Sequence, residues 1–258
     1  MDTSGQDRPY DLAGSRWGDV RAEKYALAVL PWGAAEPHNL HLPYLTDCLI
    51  ARSLSLDAAA LLWEQGIRVM VLPAVPFGSQ NPGQWNKPFC IHLGQRTQAA
   101  LLEDVVASLD RQGIRRLAVV NGHGGNSFRG LVRDLAFAYP GFTVAVADTF
   151  ALVPQQDYFE CSDDHAGEME TSLMMHYHPR RVALQGAGDG RAEPFAAQSL
   201  RDGTGWMPRD WDRVSADTGI GDPRRASAEK GSRYAEAVVR RLAGLFADLA
   251  GEGELYRR

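Results

Sequence analysis

The sequence predicts an α/β fold, a three-layer α/β/α sandwich built on a mainly parallel sheet. Three observations carry that prediction. Short apolar runs rich in Val, Leu and Ala alternate with longer amphipathic stretches. Those runs are apolar on both faces, as strands covered by helices on each side are. Their strand–helix–strand rhythm is that of right-handed βαβ units, which make neighbouring strands parallel.

Residues 25–31 (YALAVLP) read as a buried strand, and residues 47–64 as a helix with apolar positions at helical spacing, stopped at Gly66. Residues 68–73 (RVMVLP) form the second strand and 97–112 the second helix, ending at Gly113. Residues 116–121 (RLAVVN) are the third strand, 127–139 a helix, and 142–148 (FTVAVAD) the fourth strand. Residues 168–177 and 226–249 read as further helices, and the Gly-, Asp- and Pro-rich stretch 186–223 as loops. The 258 residues, 45% hydrophobic and 23% charged, suit one large domain, 1–258, better than two small ones.

Composition also narrows the partners. A net charge of −5 gives no electrostatic reason to expect nucleic acid or an anionic membrane. Residues 1–24 are polar and mixed in charge, without a signal peptide's apolar run, and no stretch approaches the roughly 20 apolar residues of a membrane span. Cys48, Cys90 and Cys161 are odd in number and widely spaced, which argues against a disulfide framework and for a reducing compartment. A soluble cytoplasmic protein is the expectation.

In an open parallel sheet, ligands collect beyond the carboxyl ends of the strands. Glu36, His38, His41 and Asp47 follow the first strand within twelve residues. Asn121-Gly122-His123-Gly124-Gly125-Asn126 follows the third, and Asp163-Asp164-His165-Ala166-Gly167-Glu168-Met169-Glu170-Thr171-Ser172 leads into a helix. Each piece alone has a plain reading: a solvated loop, an N-cap at Asp47, or a turn with an anion-binding nest at His123. A phosphate loop would need GxxxxGK[ST], which is absent. Convergence favours chemistry, since four of the seven histidines fall in these three segments. Imidazole and carboxylate without thiolate suit Zn²⁺ or Mn²⁺, and Fe²⁺ less well. A carboxylate such as Asp47 can bridge two ions, and such pairs activate water for hydrolysis. No G-x-S-x-G elbow or recognisable catalytic cysteine signature offers a protein nucleophile instead.

Residues 33–47 resemble the first motif of the creatininase family, approximately G-[ST]-x-E-Q-H-G-x-H-L-P-x-x-T-D. Asn121–Asn126 is similar to its NGHGGN segment, HAGEMETS at 165–172 to its HAGxxETS segment, and TGIGDPRRASAEKG at 218–231 to its late element. The resemblance implies a creatininase-like fold, a homo-oligomer (hexamers are frequent in the family), and two divalent ions per chain, zinc first, then manganese or iron. It makes Glu36, His38, Asp47 and His123 metal ligands, with Asp47 bridging, and His165 the catalytic histidine that protonates the leaving nitrogen. His165 could instead orient a ligand.

In creatinine hydrolases a further carboxylate stands two residues after the NGH histidine; here that position is Gly125. Glu170 is the candidate to complete the second ion; its other readings are a first-turn helix carboxylate or a residue that orients His165. Pro37 and Asn39 replace the usual Gln and Gly. Creatinine hydrolases enclose their substrate with tryptophan, but the position before the HAG motif is Cys161. Trp85 could line the pocket or simply pack. His41 reads as structural, and His92, His176 and His178 as ordinary.

These features predict a hydrolase of a non-peptide C–N bond in a small molecule: a cyclic amide, an amidine-like compound or a formamide. Gly125 and Cys161 disfavour creatinine itself. Family members with NGHGGN include deformylases of a formylamino-pyrimidine nucleotide and proteins that cleave a short peptide in redox-cofactor maturation. Two rivals come from other classes. A non-catalytic scaffold on the same fold would lose ligands, and a nucleotide-binding protein would use the NGHGGN glycines as a phosphate cradle.

Overall fold

The computed structural model describes residues 8–161, 164–251, 253, 255 and 256. Residues 1–7 of the polar N-terminal segment and Asp163 of the third polar group lie outside them. The elements run α1 (Trp17–Val20), β1 (Leu27–Trp32), α2 (Thr46–Glu64), β2 (Val69–Val71), α3 (Gln95–Arg111), β3 (Arg116–Asn121), α4 (Arg129–Ala138), β4 (Thr143–Asp148), α5 (Glu168–Tyr177), α6 (Gln198–Arg201), α7 (Trp211–Val214) and α8 (Ala228–Ala250).

The four strands form one parallel sheet in the order β2-β1-β3-β4. Central β1 is buried along its whole length, and alternation divides it between two cores. Leu27 and Val29 pack with α2, α5 and α8, whereas Ala28, Leu30 and Trp32 pack with α3 and α4. That division makes three layers and explains the unbroken apolar run of β1. The expected second strand is shortened to three residues: after the Leu72 N–H donates to Val29 O at 2.8 Å, the next donation across to β1 comes three residues on rather than two. The chain nonetheless returns beside β1, where the Val75 N–H donates to Pro31 O at 3.0 Å. Among the described residues no helix is long and apolar enough to cross a membrane.

Two features position the site. Strand order reverses between β1 and β3, so the loops leaving their carboxyl ends open at the switch point of the sheet. On the other side of the site, α8 lies against α5 so closely that a Cβ at Gly231 would stand 2.0 Å from Ser172 O. The last glycine of the 218–231 element is therefore a contact requirement, and it fixes the helix that carries Glu168 and Glu170.

Candidate metal centre and its cleft

Glu36, His38, Asp47, His123, His165 and Glu170 converge although they come from three separate segments of the chain. Asp47 sits in the first turn of α2 and holds the middle. Its Oδ1 is 2.8 Å from His38 Nε2, and its Oδ2 is 3.1 Å from His123 Nδ1. Glu36 Oε1 is 3.0 Å from His123 Nδ1 and 3.7 Å from His165 Nδ1. Glu170 Oε2 is 4.0 Å from His38 Nε2. Glu36, His38, Asp47, His123 and His165 are all nearly inaccessible to solvent.

Each histidine is anchored through one ring nitrogen by a backbone carbonyl. His38 Nδ1 donates to Glu36 O (3.0 Å), His123 Nε2 to Ser79 O (2.7 Å) and His165 Nε2 to Pro37 O (2.8 Å). A carbonyl accepts only from an N–H, so the other nitrogen of each neutral ring turns a lone pair toward the carboxylates. Such carbonyl anchoring is how metal-binding imidazoles are oriented.

This geometry leaves lone pairs facing one another, and with His123 neutral the buried Asp47 Oδ2 has no hydrogen-bond donor among the described residues. Positive charge is what the arrangement accommodates. In the metal-free protein protons supply it. Burial disfavours charge on His38, but Asp47, Glu170 and Glu36 outweigh it and lift the ring to about 10. His123 is likewise raised against its burial by Glu36 and Asp47. Burial pushes the Glu36 and Asp47 carboxyls up, and the facing imidazoles more than reverse it, holding both below their ordinary values. His165 is lowered by burial and by His38.

Donor atoms group in threes within coordinating reach: Glu36, Asp47 and His123; His38, Asp47 and Glu170; and Glu36, His38 and His165. The first two share Asp47, one oxygen facing each set. Oxygen and imidazole donors without thiolate fit Zn²⁺ or Mn²⁺. Cys48 lies nearby, but burial raises its thiol to about 12 and its Sγ–H contacts the Ala34 and Val75 carbonyls.

The local sequence explains how these groups are held. Asn39 stands at φ +53°, a left-handed conformation that asparagine tolerates. The loop therefore keeps its shape although Asn replaces the motif's glycine. Asn126 accepts from the Ser79 N–H (3.1 Å) and donates to Asn121 Oδ1 (3.1 Å), bracing the carbonyl that orients His123. A Cβ at Gly125 would lie 2.2 Å from Ser79 O and 2.5 Å from His123 Nε2. The backbone itself thus excludes a carboxylate side chain there. Glu170 sits in the first turn of α5 and accepts from the Ala166 N–H at 2.6 Å, closing the HAG turn in which Ala166 adopts φ +53°. His41 bonds Thr171 Oγ1 at 2.8 Å, tying the first-motif loop to α5, and burial lowers its pKa to about 4. That is the structural role expected of it.

A cleft of about 1070 Å³ opens over Glu36, His123 and His165. Its far wall is the loop-rich segment, which brings Trp206, Arg209 and Trp211. Trp211 meets His165 edge-on at 5.6 Å, and Arg209 lies over its ring while pairing with Asp164. Trp85 instead packs edge-on against His92 outside the cleft lining. Gln84, absent from the sequence reading, donates to Glu36 Oε2 at 2.6 Å. Its place after the second strand was a usable signal; Trp211, in a segment without regular pattern, gave none.

Comparison with known proteins agrees with this geometry. The model of the creatininase family, described as creatinine amidohydrolase, matches residues 13–246. The chain belongs to the creatininase family. It is a hydrolase of that family, and its fold is the family's. A solved structure of a Bacteroides fragilis protein, provisionally named creatinine amidohydrolase, superposes with a TM-score of 0.95 at 52% identity, covering 98% of this chain and 100% of that one. Creatinine amidohydrolase of Pseudomonas putida is 29% identical, over 88% of this chain and 92% of its own. The mycofactocin precursor peptide peptidase of Mycobacterium tuberculosis is also 29% identical, over 82% and 80%. Creatininase has been solved in a manganese form and, as a Glu-to-Gln mutant, in a Zn–Zn form, each with a TM-score of 0.76 and covering 93% of this chain, at 25% and 26% identity and over 98% and 97% of those chains.

Proposed function

We propose that this protein hydrolyses the C–N bond of a small amide-type compound, a cyclic amide, amidine-like compound or formamide, at a pair of divalent ions. The observation that carries the reading is the shared carboxylate: Asp47 presents one oxygen to His38 at 2.8 Å and the other to His123 at 3.1 Å. Glu36, Asp47 and His123 would hold one ion and His38, Asp47 and Glu170 the other, with zinc or manganese the suited metals. When bound, such a pair polarises a carbonyl and makes water nucleophilic near neutral pH.

The chain's own groups do the rest. Backbone carbonyls of Glu36, Ser79 and Pro37 fix three imidazoles in one tautomer each. Gln84 holds Glu36 Oε2, so Glu36 Oε1 stays turned toward His123. His165 has its Nε2–H committed to Pro37 O, which leaves the unprotonated Nδ1, at the cleft, as the atom that would take a proton from the attacking water and pass it to the departing nitrogen.

A peptide substrate is the second reading. The cleft of about 1070 Å³ exceeds what one small ring fills, and the mycobacterial relative is named as a peptidase of a precursor peptide. Zinc- or manganese-reconstituted protein, incubated with cyclic amides, formamides and short peptides, separates the two by mass spectrometry of the products. Addition of one water to a member of the first group, lost in Asp47→Asn, supports the main reading. Cleavage of peptides alone supports the second. A fully metallated protein that cleaves nothing overturns both.

A further inference from the structure

Gln80 stands in the loop after β2, on a strip whose backbone is fixed residue by residue. The Ser79 N–H donates to Asn126 Oδ1 (3.1 Å), the Gln80 N–H to His92 Nδ1 (2.9 Å) and the Asn81 N–H to Gln84 Oε1 (3.0 Å). Gln80 lines the cleft together with Glu36, His123 and Gly125 and is 6% exposed. Both polar atoms of its side chain, Oε1 and Nε2, are buried and make no hydrogen bond among the described residues. Its neighbours differ in their amide N–H, although Gln98 Oε1 also lacks a partner among the described residues. Gln84 gives its amide N–H to Glu36, and Gln98 gives its own to Leu93 O and Ser79 Oγ.

A buried carboxamide without partners is unfavourable, and native folds rarely keep one without a use. An apolar residue of the same length would fill this place at less cost. What a carboxamide adds is an acceptor and a donor side by side. Its complement is an edge that places an N–H next to a C=O. A cis amide within a ring presents such an edge, and so does one residue of an extended peptide.

Resting on the hydrolase reading above, we propose that Gln80 determines specificity by reading a paired N–H and C=O edge of the substrate. Oε1 accepts from the substrate N–H while Nε2 donates to its carbonyl. Compounds alkylated at that nitrogen are then rejected, because the Gln80 oxygen would stay buried and unpaired against them. Gln80 holds the substrate and takes no part in bond cleavage.

The test uses full-length zinc-loaded protein and its Gln80→Met and Gln80→Glu variants. Metal content, Tm and Kd by calorimetry are measured on the same samples. The probes are hydantoin, its N-methylated derivatives and acetyl-glycyl-glycinamide. Hydantoin or the peptide should bind Gln80→Met about tenfold to a hundredfold more weakly than wild type, and Gln80→Glu, which lacks the donor, should also bind weakly. Methylated hydantoin should bind wild type and Gln80→Met equally poorly. Tm of Gln80→Met should match or exceed that of wild type. Which of the two probes shows the loss identifies ring or peptide as the source of the edge. Unchanged Kd for both probes, a lowered Tm with unchanged Kd, or no binding of either probe by metallated wild type would each overturn the proposal. Failure of the underlying hydrolase reading shows itself separately, as protein that takes up no zinc or that cleaves nothing when metallated.

Discussion

A methyl group added at Gly125 would stand 2.2 Å from Ser79 O and 2.5 Å from His123 Nε2, the two atoms joined by the 2.7 Å hydrogen bond that orients His123. No rotamer relieves the contact, since Cβ is fixed by the backbone. Gly125→Ala must therefore part that bond, leaving a buried imidazole N–H without its acceptor at a cost of about 1–3 kcal/mol. Displacing the packed loop adds about 1–3 kcal/mol more. At roughly 2–4 °C per kcal/mol for a chain of this size, Tm should fall by about 5–20 °C. Zinc affinity should weaken by about tenfold to a hundredfold, as it does when the group anchoring a metal-binding histidine is lost. Differential scanning calorimetry and chelator competition measure the two quantities. The adjacent Gly124 is the control: nothing lies within 4 Å of a Cβ there, so Gly124→Ala should change neither quantity. A Gly125→Ala protein with wild-type Tm and zinc affinity would refute the reasoning.

Other perturbations follow from the same geometry. In chelator-stripped protein, His38 titrates near 10 and His123 well above 6.5, their ordinary value. Their stabilisation is thus complete below about pH 6.5 and fades at higher pH, for His38 as pH rises through about 10. Tm of the stripped protein should decline across that window and zinc binding should release protons there; a flat profile without proton release contradicts this. Asn126→Ala removes the brace on Ser79 and should weaken zinc binding about tenfold or more, with unchanged affinity as the contrary result in chelator competition. Gly231→Ala forces a Cβ to 2.0 Å from Ser172 O. It should destabilise by about 3 kcal/mol or more on unfolding in urea, and a loss under about 0.5 kcal/mol would show that α8 shifts freely.

Much of this organisation was legible in the sequence because it rests on local pattern. The third strand and α5 have the predicted bounds, 116–121 and 168–177, since β-branched runs and flanking turn residues mark them directly. Glu36, His38, Asp47 and His123 come together because β1 and β3 end side by side at the switch point, whereas His165 and Glu170 are brought in by the turn before α5 and its first turn. The shortening of β2 follows from the out-of-step return of Val75 to Pro31 O, which a run of apolar residues does not reveal. Trp211 and Arg209 reach the cleft through long-range contacts: the Trp211 N–H donates to Pro82 O at 2.7 Å, and Ile220 pairs with His165. No periodicity in residues 186–223 encodes that approach. Gln80 and Gln84 are marked in sequence only by their place after the second strand, and what each does is set by what surrounds it in the fold. The absence of a carboxylate at position 125 was visible from the start, but its reason, the contact with Ser79 O, exists only in three dimensions.

The central claim is a two-ion centre with Asp47 between the ions and Glu170 completing the second. Elemental analysis of protein grown with zinc and manganese tests it most directly. Wild type should carry about two divalent ions per chain, and Glu170→Gln about one, with the Glu36–Asp47–His123 site still filled. Wild type that retains no metal, or a Glu170→Gln protein that keeps both ions, would contradict the account.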